Sequence, residues 1–186
     1  SYEKEISLFT LAPELKGAAE VIKRLKELSV VVCLGHSEAN AKTAKTAFQE
    51  GVSMLTHTFN AMPGLDHKSP GPIGEALKHS CIKLGLIADG IHVDPTIALL
   101  LQRIAAEQLV LVSDALSPYG LSEGEHCFGE KPLVVHQGTC RLENGTLAGC
   151  SYPLLDNCKK LAQWSNNPAS AIWSGTIAPR EVVDQR

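Results

Sequence analysis

The chain has 186 residues, 44% of them hydrophobic and 20% charged, with a formal net charge of −3. That length suffices for one domain with a full core but not for two large ones. The weak negative charge, without any Lys/Arg run, argues against nucleic acid and membrane surfaces as partners, and no stretch approaches the roughly 20 apolar residues that span a bilayer.

Taken in order, the apolar runs alternate with helical periods. Residues 6–12 read as a strand. Pro13 then starts a helix with Leu15, Ala18, Ile22, Leu25 and Leu28 on one face. A strand at 30–35 precedes a helix at 37–50, with Ser37 as its expected N-cap and Gly51 as its stop. A strand at 53–57 leads into the Pro/Gly-rich loop 62–72, long enough to count as a functional loop. A short helix at 74–79, a strand at 82–88, a helix capped by Asp94-Pro95 and a strand at 109–113 follow. Ile97, Leu100, Leu101 and Ile104 are expected to form the inner face of that last helix.

Five strands separated by helices imply consecutive right-handed βαβ units. The fold class is α/β, a partial TIM-like (β/α) barrel, since no Gly-rich dinucleotide loop follows the first strand. Residues 131–148 read instead as an antiparallel hairpin around the tight turn Asn144-Gly145. A helix at 152–164 and a tail that begins helical and then loses its pattern complete the chain, with Trp164 and Trp173 as packing anchors. The six cysteines are scattered singly, with no C-x-x-C pair, which points to a reducing, cytoplasmic compartment. Ser1-Tyr-Glu-Lys-Glu5 does not read as a secretory signal.

Chemistry gathers at strand ends. Val30-Val-Val-Cys-Leu-Gly-His36 and Ser53-Met-Leu-Thr-His57 are apolar runs that each end in a histidine; the next two strands run into Asp89-Gly-Ile-His92 and Asp114. Any one of these could cap a helix or close a turn. Capping does not place two histidines, a third histidine and an aspartate at successive strand ends, where a parallel α/β sheet collects its chemistry. Converging imidazoles point to a metal. His79, His126 and His136 read as surface residues without a role.

Leu11-Ala-Pro-Glu14, Gly35-His-Ser-Glu-Ala39, Thr56-His-Thr-Phe-Asn-Ala-Met62, Gly85-Leu-Ile-Ala-Asp-Gly-Ile-His-Val-Asp94, Val112-Ser-Asp-Ala115 and Leu147-Ala-Gly149 occur in that order. Together they resemble the N-acetylglucosamine-6-phosphate deacetylases of the amidohydrolase superfamily across nearly all of residues 8–150. The resemblance implies metal-dependent hydrolysis of the sugar's acetamide to glucosamine 6-phosphate and acetate. It implies His36 and His57 as metal ligands, Asp114 as general base and acid, and His92 as a substrate contact. Asn60 and Ala61 match the turn that binds the sugar phosphate. Lys68 stands where the family usually has an arginine that reaches phosphate across a dimer interface, and lysine lacks the arginine's bidentate fork. The implied cofactor is a divalent metal, zinc first and iron second; the implied partners are a small sugar phosphate and a second copy in a homodimer.

The chain departs from the family pattern in three places. The family's third metal ligand, a glutamate in a His-Leu-Glu-Gly-Pro motif, lies upstream of the Leu-Ala-Pro-Glu segment and is not in this sequence; Glu14 does not match it. The segment after the hairpin reads Leu147-Ala-Gly-Cys-Ser-Tyr-Pro153, with proline where a helix normally begins. The last barrel unit and the small β-domain are reduced to the tail 175–186. Residues 1–186 are thus expected to form a single, incomplete hydrolase-barrel domain. Two other readings are a catalytically inactive sugar-phosphate-binding or scaffold fragment, and an amidohydrolase acting on another amide.

Overall fold

The computed structural model describes residues 5–184. Five strands, β1 (Leu8–Leu11), β2 (Val31–Leu34), β3 (Val52–Leu55), β4 (Lys83–Leu86) and β5 (Leu109–Leu111), pair in parallel in sequence order. Helices α1 (Ala18–Glu27), α2 (Ala41–Glu50), α3 (Gly71–Ala76) and α4 (Pro95–Ala105) connect them. Among the described residues each strand of this sheet pairs with its sequence neighbours, and β1 and β5 form the two edges.

Both faces of this sheet are covered, as parallel sheets require. On one face Val32, Leu34, Leu55, Leu84, Leu86, Leu109 and Leu111 pack against Ile22 of α1, Ala44 and Ala47 of α2, Ile73 of α3 and Leu101 of α4. On the other, Cys33, Met54 and Val110 meet Ala178 and Val182 of a final helix, α6 (Pro168–Val183). Burial pushes the Cys33 thiol up to about 12, so it behaves as a small apolar side chain.

Several sequence expectations change. Helix α1 begins at Ala18 rather than at Pro13, leaving Leu15 64% exposed, and α3 occupies Gly71–Ala76 rather than 74–79. The hairpin expected at 131–148 is part of a four-stranded antiparallel sheet, β6 (Gly124–Phe128), β7 (Lys131–His136), β8 (Thr139–Leu142) and β9 (Leu147–Cys150). Its Asn144-Gly145 turn is as read, with the Gly145 N–H donating to Leu142 at 2.8 Å. The tail is a 16-residue helix, not a fading pattern; the residues it buries, Ala171, Ser174, Ala178 and Val182, are too small or polar to show as a hydrophobic stripe. Asn40, not Ser37, caps α2 and accepts the Thr43 N–H at 2.9 Å, because the Ser37 hydroxyl is committed elsewhere. Finally, α4 is rotated from its expected face. It buries Ala98, Leu101, Gln102 and Ala105, while Leu100 and Ile104 stay 47% and 56% exposed. Small Ala98 and Ala105 allow close approach to the sheet, and the Gln102 amide donates to Ser170 at 3.2 Å.

Other expectations stand. Asp94 caps α4 through the Thr96 N–H at 2.7 Å, with Pro95 in the first turn. Pro153, in extended conformation, directly precedes helix α5 (Leu154–Ser165), a position that needs no amide proton. All six cysteines are free.

β4 passes close to β3 at Gly85. A Cβ placed on Gly85 would lie 2.9 Å from the Leu55 carbonyl oxygen and 3.2 Å from the His57 nitrogen. Gly85→Ala is therefore expected to cost about 2 kcal/mol and lower the unfolding midpoint by roughly 4–8 °C, measurable by thermal denaturation.

Candidate active site

Register sets the height of the two histidines. Leu34 pairs with Leu55, and the Thr56 N–H donates to the Leu34 carbonyl at 2.9 Å. His36 and His57 each lie two residues beyond that pair, where both backbones turn left-handed, with φ of 49° and 30°. Their Nε2 atoms come within 2.9 Å, the rings meeting edge to face at 78°. Gly35 makes this approach feasible: a Cβ there would sit 2.7 Å from Thr56 Cβ.

The next turn fixes the chemistry of the pair. His57 Nδ1 lies 3.2 Å from the Asn60 carbonyl, which can only accept, so Nδ1 carries the proton and Nε2 presents a lone pair. His57 is 6% exposed. Burial and the neighbouring His36 depress its proton affinity and the Asp114 charge opposes them; the net effect keeps the ring below the ordinary histidine range and neutral at pH 7. His36, which is exposed, donates to it through its own Nε2.

Asp114 lies past β5, half-buried, and it too has a left-handed backbone, φ 51°. Phe59 and Ala61 share that conformation at 79° and 49°. Non-glycine residues held this way cost of order 1–3 kcal/mol each, and such strain collects at functional sites. The Asp114 backbone is braced by β9: the Cys150 N–H donates to the Asp114 carbonyl at 3.0 Å, the Leu116 N–H to Cys150 at 2.9 Å, and the Cys150 thiol to Ser113 at 2.7 Å. Burial, with the nearby carboxylates adding, pushes that thiol up to about 11, so it stays protonated and can donate.

After β4, Asp89 and His92 form a buried pair. The Asp89 carboxylate accepts His92 Nδ1–H at 2.6 Å and the backbone N–H groups of Ile91 and His92 at 2.8 Å each. Burial pushes this carboxyl up, but the three hydrogen bonds outweigh it and hold it below the usual carboxylate range. Lys160 of α5 donates to the Asp89 carbonyl at 2.8 Å, and the Trp164 ring packs beneath Gly90. His92 Nε2 is left buried without a partner. The other buried side-chain atoms without partners among the described residues are Thr58 Oγ1 and Asn157 Oδ1. All three lie at the same end of the sheet: Thr58 follows His57, and the Asn157 amide donates to Val112 beside β5. A buried polar atom without a partner costs about 1–3 kcal/mol, a cost that a bound polar ligand relieves.

The fold thus brings together His36, His57 and the Asn60–Ala61 turn, with Asp114 near enough for its charge to act on His57 and His92 one strand further on. Lys68 stands apart, exposed in a turn whose N–H groups bond Asp66. Among the described residues no group of three or more His, Cys, Asp or Glu side chains is arranged to hold a metal. The histidine pair nevertheless fits one in donor type and spacing, since two nitrogens on a tetrahedral zinc lie about 3.3 Å apart. The sequence reading missed Asn157, Lys160 and the brace from Cys150, and treated Asp89 only as a turn former. These contacts lie 37 to 71 residues apart, and no local pattern announces them.

No protein-family model matches the chain. It is 33% identical over 171 residues to an N-acetylglucosamine-6-phosphate deacetylase of Vibrio furnissii and 36% identical over 188 residues to that of Bos taurus, covering 92% and 96% of this chain. It is also 34% identical over 179 residues, 96% of the chain, to an N-acetylgalactosamine-6-phosphate deacetylase of Escherichia coli O157:H7. Solved structures agree. An N-acetyl-D-glucosamine-6-phosphate deacetylase point mutant from Mycobacterium smegmatis, in complex with N-acetyl-D-glucosamine-6-phosphate, superposes with a TM-score of 0.93 at 27% identity over 98% of this chain. The Thermotoga maritima N-acetylglucosamine-6-phosphate deacetylase gives 0.90 at 28% over 97%. The chain is homologous to the N-acetylglucosamine-6-phosphate deacetylases. It spans 43% to 48% of the length of the three sequence relatives and 50% of each of the two solved chains. The β1–β5 sheet and the β6–β9 sheet both belong to the part of the deacetylase fold that is shared.

The Asp89–His92 pair yields a pH-dependent test. Asp89→Asn is expected to destabilise the protein by roughly 2 kcal/mol at pH 7 by removing a charged hydrogen bond. The folded-state carboxyl is depressed, so its contribution is present above the unfolded value near 3.9 and is lost as pH falls through the folded one. In denaturant titrations the gap between variant and wild type should close below about pH 4.

Proposed function

We propose that this chain carries the catalytic half of an amino-sugar-phosphate deacetylase, cleaving the acetamide of N-acetylglucosamine 6-phosphate to glucosamine 6-phosphate and acetate. The observation that carries this reading is the His36–His57 pair, with His57 Nδ1 tied to Asn60 and Nε2 turned to its partner. That is the arrangement in which an outer hydrogen bond fixes the tautomer of a ligating imidazole. His36 and His57 would hold a divalent metal, zinc or iron. Such an ion, when bound, acidifies water and polarises the amide carbonyl.

The remaining roles fall to the chain's own groups. The Asp114 carboxylate takes a proton from the attacking water and returns it to the departing amine nitrogen. The Asn60 side chain and the Ala61 N–H, on the turn that also anchors His57, hold the sugar phosphate. His92 Nε2, buried and lacking a partner, receives a polar group of the sugar, while Asp89 fixes the other ring nitrogen. Lys68 reaches phosphate from a second copy of the chain.

Two other readings have an observation behind them. The E. coli relative named for N-acetylgalactosamine 6-phosphate makes that sugar the alternative substrate. The lack of a third clustered ligand among the described residues favours an inactive sugar-phosphate-binding fragment. Acetate release from each sugar in the presence of added zinc separates them. Turnover that falls 10²- to 10⁴-fold in Asp114→Asn while sugar-phosphate binding persists supports the deacetylase. Binding of the sugar phosphate without turnover in the wild type supports the binding fragment.

A further inference from the structure

Glu14 lies just past β1, exposed, and the proposed chemistry gives it no role. Both of its carboxylate oxygens are nevertheless spoken for. Oε2 accepts the Ser37 hydroxyl at 2.6 Å, and Oε1 accepts the Glu38 N–H at 2.7 Å. Ser37, only 2% exposed, passes the restraint on: its Oγ accepts the Ala39 N–H at 3.0 Å, and its own N–H donates to the Ala61 carbonyl at 3.0 Å. The residue directly after His36 is therefore held on one side by β1 and on the other by the Asn60–Ala61 turn. That turn holds His57 through the Asn60 carbonyl. Burial pushes the Glu14 carboxyl up, but these bonds prevail and hold it below the usual range, so it is ionised at neutral pH.

We infer that Glu14 is a positioning residue, which locks the left-handed turn at His36 so that its imidazole meets His57 and which ties this pair to the Asn60–Ala61 turn. Glu14 belongs to no group of three or more His, Cys, Asp or Glu side chains arranged to hold a metal among the described residues. His36 needs such a lock more than His57 does. It is exposed, its φ is 49°, and among the described residues its ring bonds only to His57. Hydrogen-bonding partners beyond the immediate ligands typically change metal affinity 10- to 100-fold when removed. The inference rests on the reading of His36 and His57 as a ligand pair, but its test does not.

Side-chain ¹H–¹⁵N spectra of the metal-free protein read the His36–His57 contact directly, as a proton on His36 Nε2 bonded to His57. That signal is expected to vanish in Glu14→Ala and in Ser37→Ala, to survive partly in Glu14→Gln, which keeps one acceptor, and to be unchanged in the exposed control Lys16→Ala. Thermal unfolding of each variant separates positioning from collapse, because a fold defect would disturb the buried Asp89–His92 signals as well. Cobalt(II) titration supplies the second readout: a 10- to 100-fold weakening in each single variant, with the double variant losing clearly less than the sum of the two, since the Ser37–Glu14 bond is common to both. An unchanged imidazole signal in Glu14→Ala overturns the inference, as do fully additive losses. If the wild type takes up no cobalt, the metal reading fails while the imidazole spectra still decide the role of Glu14.

Discussion

The parallel pairing of β2 with β3 is the contact on which the site depends. Leu34 opposite Leu55 sets His36 beside His57, and the Thr56 N–H bonded to Leu34 holds that register up to the point where both chains turn. A slip of one residue would send each histidine to the other face, because side chains alternate along a strand. The leucines are fully buried against the helices, so the hydrophobic core enforces the register that brings the two histidines together.

What lies beyond the strand ends is built differently. His36, His57 and Asp114 all have left-handed backbones, a conformation that non-glycine residues avoid. Each is restrained from outside its own strand. The Ala61 carbonyl and Glu14 hold the segment after His36, Asn60 holds the His57 ring, and Cys150 brackets Asp114. The four-stranded sheet contributes here through β9, whose last residue bonds on both sides of Asp114. Helix α5 makes the equivalent contribution through Asn157 and Lys160, which anchor the carbonyls of Val112 and Asp89. The strain is local, and distant parts of the chain sustain it.

That division explains how far the sequence could be read. The strands at 30–35 and 53–57 announce themselves by apolar runs that end in histidine, and the order of βαβ units follows from spacing alone. The ring-to-ring contact of His36 and His57 follows once the strands are neighbours. The faces of α4 and α6 were not legible, because close packing on a sheet selects alanine and serine and leaves larger residues such as Leu100 and Ile104 outside. Ser37 looked like a helix cap because its usual role is local, whereas its partner here is Glu14, 23 residues back. Positive φ at non-glycine residues leaves no mark in a sequence, so the strained turns were invisible before the structure.

The central claim, that two strand-end histidines form the core of a metal site, is tested most directly by elemental analysis of the purified protein and of a His36→Ala/His57→Ala double variant. Near-stoichiometric zinc or iron in the wild type, lost in the double variant with the fold intact, is the result expected. Metal retained in the double variant, or none bound by the wild type when zinc is supplied, would contradict it.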